Sequence, residues 1–218
     1  MGFSIDFTLV FFPIMLLLAA LPALLVPKNI AMVINRQGVL YPSGMDLFLI
    51  FQFGLIGALL SEVDVIVDEK KRGSEMVAMI LAIACSAMMA RLIFIDPAAA
   101  IIFGGVLMGV LIGGKVDSLP FLVGLLIAGG GMLGAYLYRG FAILAPVAVA
   151  LAFCGFVDEY GHDRIPRIRS GLMRWFFSHR FTMPLGVFSI AYLGLIGFTH
   201  FFAFLAFDIA YEMNSKRD

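Results

Sequence analysis

Apolar residues run through this chain in long uninterrupted blocks, separated by short polar turns, and the blocks rather than any motif set the expected architecture. Phe7 to Val26 is a twenty-residue stretch without a charge, enough helix at 1.5 Å per residue to cross a hydrocarbon core of about 30 Å. Pro13 and Pro22 are expected to kink it, and Pro27-Lys28 ends it. A second span is expected over 47–67. Its last turns carry Ser61-Glu-Val-Asp, which leaves Glu62 about 6 Å inside the interface. A carboxylate at mid-membrane costs about 2.5–3.5 kcal/mol, less near the edge, so Glu62 is expected to face the bundle or a wet cleft.

Further spans follow at 76–95, 98–113, 119–137, 141–157 and 183–207, about seven in all. Gly73 breaks the charged turn before the third, Asp96-Pro97 opens the fourth, and Asp117 or Ser118 is placed to cap the fifth, with Pro120 in its first turn. The glycine-rich fourth and fifth are short enough to pair as a broken or re-entrant element. Between the sixth and seventh, Ile165, Ile168, Leu172, Trp175 and Phe176 recur at helical spacing opposite Arg164, Arg167 and Arg174. That pattern predicts a basic amphipathic helix over about 164–180, lying in the membrane interface against anionic lipid.

Composition agrees with the blocks. Of 218 residues 62% are hydrophobic and 14% charged, against about 45–50% and about 25% in soluble domains. The expected fold is therefore all-α, one polytopic helix bundle over 1–218 with no soluble domain. Lys plus Arg and Asp plus Glu number 15 each, a balance that points to no nucleic-acid partner. Cys85 and Cys154 lie in apolar segments without metal or redox spacing and are expected to be buried thiols. The N-terminus lacks the positive region of a signal peptide, so the first block is expected to stay as an anchor. Nine Lys and Arg fall on the face shared by the turns after the second, fourth and sixth spans, and six on the other. The positive-inside rule then places the N-terminus in the cytoplasm and the C-terminus on the opposite side of a cell or inner membrane.

Sidedness brings distant groups to one face. The Asp64 to Glu75 turn, the Lys115 to Asp117 turn and the cluster Asp158-Glu-Tyr-Gly-His-Asp-Arg164 all emerge there. Asp64 and Asp68, one turn apart on one helical face, with Asp117, Asp158, Glu159, His162 and Asp163, form a candidate ion or metal set. Carboxylates converging on a point are what a divalent cation needs. Lys115, Arg164, Arg167 and Arg174 are candidates for phosphate or anionic lipid. Glu62 and His200 are candidates for an intramembrane polar path. The competing expectation is that the acidic and basic residues at span ends make only interfacial ion pairs and helix caps.

Small residues at Gly104-Gly105, Gly109, Gly129-Gly-Gly131 and Gly134 predict close helix packing, within the chain or toward a second copy or partner membrane subunit. No zinc-protease, Walker, dinucleotide or serine-hydrolase motif is present. Two functions remain. The first is a non-enzymatic membrane protein: a small transporter or channel, or a subunit of a larger assembly. The second is a membrane enzyme with a cytoplasm-facing divalent-metal site acting on a phosphorylated lipid or isoprenoid.

Overall fold

The computed structural model describes residues 44–69, 74–114, 116–140, 145–162, 164–168 and 170–215. The expected first span, the turn around Lys70 to Gly73, Lys115, Asp163 and the tail from Lys216 lie outside them. Among the described residues the protein is all-helical: α1 (Gly44–Glu69), α2 (Glu75–Ile95), α3 (Pro97–Ile112), α4 (Leu119–Arg139), α5 (Ala145–His162), α6 (Gly171–Ser178), α7 (Thr182–Tyr192) and α8 (Phe198–Ser215), with a 3₁₀ turn at Ile165–Arg167. Three helices are long and apolar enough to cross a membrane, within Asp46–Val67, Glu75–Ile95 and Leu119–Arg139, while Pro97–Ile112 and Thr182–Tyr192 are shorter apolar helices.

Local chemistry explains most boundaries. Ser74 accepts the Val77 N–H at the start of α2. Asp96 ends α2 and caps α3, accepting the Ala98 and Ala99 N–H groups at 2.9 and 3.3 Å, with Pro97 beginning the helix. At α4, Ser118 occupies the cap position but its side chain makes no capping bond, contrary to expectation, and Pro120 sits in the first turn. Gly140 closes α4 in the left-handed region at φ 68°. The basic amphipathic segment is helical only over Gly171–Ser178, shorter than expected, with Met173 and Phe177 turned inward and Leu172 and Trp175 exposed.

One expectation fails clearly. The stretch 183–207 does not form a single helix: α7 stops at Tyr192 and α8 starts at Phe198. Gly194, at φ 72°, donates to the Ala191 carbonyl while Leu195 donates to Ile190. This paired closure is the Schellman ending of a helix, and the buried Leu195 supplies its apolar contact. The two helices then fold back on each other, Phe188 of α7 meeting Phe198 and Phe201 of α8 at ring-centroid distances of 6.3 and 5.3 Å. Arg180 ahead of α7 lies 5.9 Å from the ring of Tyr211 near the end of α8. Among the described residues this hairpin is thus a discontinuous element, while the glycine-rich α3 and α4 are each one continuous helix.

Several of those glycines serve packing within the chain. A Cβ on Gly131 of α4 would stand 2.7 Å from the Ala90 Cα of α2, and one on Gly105 of α3 would stand 2.6 Å from the Leu151 Cβ of α5. Glycines also draw α8 onto α1, where a Cβ on Gly57 would run into the Phe207 carbonyl. The main core, including Phe53, Ile56, Phe103, Leu151, Ile190 and Phe204, is shared by all seven helices other than α6. A smaller cluster of Val157, Met173 and Phe177 seats α6 against α5. Cys85 and Cys154 are buried free thiols.

Candidate functional site

α1, α5, α7 and α8 bring polar side chains together at one end of the bundle. Asp158, in the last turns of α5, is buried and accepts the Thr182 and Met183 backbone N–H groups at 2.8 and 2.7 Å. These are two of the orphan donors at the start of α7, so Asp158 anchors the hairpin from another helix. Its neighbour Glu159 pairs with Arg180 at 3.2 Å. The Arg180 guanidinium lies 5.9 Å from the ring of Tyr211, whose hydroxyl donates to Asp64 at 2.8 Å. Glu159, Arg180, Tyr211 and Asp64 therefore neighbour one another in turn across α5, the α6–α7 link, α8 and α1.

Arg180 adopts φ 49°, the one non-glycine residue at positive φ among the described residues. Left-handed backbone costs an L-residue about 1–2 kcal/mol, and such outliers gather at functional positions. Burial works against its charge, but Glu159, Tyr211 and Asp158 outweigh that and raise its pKa above the ordinary arginine value. The guanidinium is held protonated beside its partners.

The network borders a cavity of about 320 Å³. Its lining mixes polar residues, Asp64, Asp158, Glu159, Arg180, Asp208 and Tyr211, with apolar ones that include Met89, Leu107, Phe121, Leu125, Phe204 and Phe207. Gly109, Gly124 and Gly155 also line it and let helices close up at its edge, since a Cβ on Gly124 would stand 2.7 Å from the Ser86 Oγ and one on Gly109 3.4 Å from the Gly155 Cα. A small amphipathic molecule fits such a volume, which lies at the small end of the range of about 300–1,000 Å³ for ligand pockets.

The remaining expected site residues are dispersed. Asp117 is exposed between α3 and α4. His162 donates from Nδ1 to the Phe177 carbonyl at 3.3 Å, tying α5 to α6. Arg164 lies 3.4 Å over the Tyr160 ring, and exposed Arg174 bonds the Ile168 carbonyl at 3.0 Å. Asp68 belongs to α1 and Arg167 to the 3₁₀ turn, and only their backbone is described. Glu62 is half-buried and does not line the cavity. His200 lies by the α7–α8 corner and bonds Asp96 at the α2–α3 corner, Nε2 to Oδ2 at 2.8 Å. Glu62 and His200 are not brought together. Among the described residues no three His, Cys, Asp or Glu side chains gather as a metal site.

Sequence reasoning passed over Arg180, Tyr211, Asp208 and Asp96. Arg180 counted only as one of the basic charges of its face, and Asp96 only as a helix start. Asp208 reads only as too far from His200, eight residues on, for an intrahelical contact, and Tyr211 as part of the polar tail, although their i, i+3 spacing puts the two on one helical face, which is the available signal. No family model, curated protein or solved structure matches this chain.

Proposed function

We propose that this protein is a small membrane transporter in which α1 to α5 cross the bilayer and the α7–α8 hairpin dips in and returns. The amphipathic cavity holds the solute. The observation that carries this reading is the position of the charged network: it borders an open volume, inside the bundle, at the base of a discontinuous helix pair. Transporter sites are commonly built at broken helices, where backbone and side-chain polar groups can face a cavity instead of lipid. Interfacial ion pairs alone would need no space beside them.

Saturable uptake into proteoliposomes, measured over protons, Na⁺, K⁺ and small organic solutes, tests the reading. Uptake of at least one solute above empty vesicles, reduced about tenfold or more by Asp64→Asn, is the expected result. Absence of saturable uptake across the panel sinks it.

A second reading, an enzyme acting on a phosphorylated lipid or isoprenoid with a divalent ion, is favoured by the apolar wall beside Asp64, Asp158 and Glu159. Calorimetric binding of Mg²⁺ or Mn²⁺ that is lost in Asp64→Asn, with no uptake, would put it first.

A further inference from the structure

We propose that the cavity takes a small organic cation, an ammonium or amidinium head on a short apolar body, and that Arg180 is the chain's own occupant of the cationic position, displaced from Glu159 when the ligand enters. The proposal rests on the cavity being the solute site and does not require that the solute be transported.

Two kinds of lining residue carry the argument. The carboxylates Asp64, Glu159 and Asp208 and the aromatic residues Phe121, Phe204, Phe207 and Tyr211 line the same volume. Carboxylates attract either an inorganic or an organic cation. Aromatic faces add to this for an organic head with little hydration, most where water is excluded. A bare hydrated metal ion gains nothing from those rings, and an anion would face them and the carboxylates together. An anion would also have to take Arg180 from Glu159 and Tyr211 while Asp158 and Asp208 remain nearby.

Arg180 itself shows what the site accepts. Its planar cation already sits at the cavity wall with a carboxylate at 3.2 Å and the Tyr211 ring 5.9 Å away. It lies in the link between α6 and α7 rather than within a helix, and its side chain is 30% exposed. Swinging the guanidinium outward therefore leaves the helices in place and uncovers Glu159 for the incoming head. Exchange of one cation for another keeps the charge of the low-dielectric site constant, which avoids an unpaired buried carboxylate.

The test is binding to the full-length protein in detergent, by calorimetry, with hexyltrimethylammonium as probe and hexanol and hexyl phosphate as neutral and anionic controls. The cation is expected to bind at least about tenfold more tightly than either control. Asp64→Asn is expected to weaken it about tenfold, and Phe207→Leu several-fold. Arg180→Gln removes the internal competitor, so binding should tighten. Should that variant fail to fold, Tyr211→Phe keeps the ring, frees Asp64 from the hydroxyl that donates to it, and carries the same sign. Preference for hexyl phosphate with loss in Arg180→Gln, equal binding of hexanol, or no binding of the cation each overturns the proposal. Cation binding without vesicle uptake removes transport and keeps the site. Uptake of an anionic or neutral solute with no cation binding does the reverse.

Discussion

Asp158 and Arg180 show how far a single side chain's role depends on what surrounds it. Both stand in or near polar stretches that read as interfacial charge. Yet Asp158 is 3% exposed and spends both carboxylate oxygens on the first N–H groups of α7. An aspartate capping its own helix is worth about 1 kcal/mol. Here removal leaves two donors without acceptors inside the bundle, and each buried orphan costs about 1–3 kcal/mol. Asp158→Ala should therefore destabilise the protein by roughly 2–5 kcal/mol, seen as a large fall in thermal unfolding temperature in detergent. Asp158→Asn, which keeps one acceptor, should lose less. Equal stability of Asp158→Ala and wild type would mean that α7 does not depend on this anchor.

Among the helices, glycine position separates packing from propensity. Gly131 sits on the Ala90 backbone, whereas a Cβ on Gly129 of the same helix meets nothing within 4 Å. Gly131→Ala should push α4 off α2 and cost about 1–3 kcal/mol. Gly129→Ala has only the helix preference for alanine to express and should be neutral or stabilising by up to about 1 kcal/mol. Parallel unfolding measurements on the two variants check this, and a larger loss at Gly129 would show that its open face is covered by another molecule. The glycine pattern was readable as close packing. Which glycine touches which helix was not, because that depends on the rotation of each helix about its axis.

The two ends of the bundle are held differently. At one, the charged network borders the cavity; at the other, Asp96 joins the α2–α3 corner to the α7–α8 corner through His200. Burial raises the Asp96 pKa, but the hydrogen bond and charge of His200 and the Ala98 and Ala99 N–H groups lower it more, so it lies below the ordinary carboxylate value. A carboxylate depressed on folding contributes stability that is full above its unfolded pKa of about 3.9 and is lost as pH falls through the folded value. The advantage of wild type over Asp96→Asn should thus hold from neutral pH to about 4 and shrink below it. Unfolding temperatures of both proteins over that range decide the matter; a constant gap down to the lowest pH would show that Asp96 charge is not what joins the corners.

Helix positions were legible in the sequence because they rest on local chemistry. An apolar helix satisfies its own backbone bonds within the segment, so α1 to α4 fall close to the apolar blocks and α5 overlaps its block, and Asp96-Pro97 marks the start of α3. Even the break at Gly194 had its local signal, a glycine followed by an apolar residue inside the last block, but length favoured a single span over a helix ending. The site was only partly legible. Topology brings Asp64, Asp158 and Glu159 to one end, whereas their bond partners depend on how the hairpin lies against α1 and α5. Asp64 meets Tyr211 across 147 residues and Asp96 meets His200 across 104. Contacts of that kind are set by packing between helices, where crossing angle, depth and the space left by glycines act together, and no residue's neighbours in sequence record them.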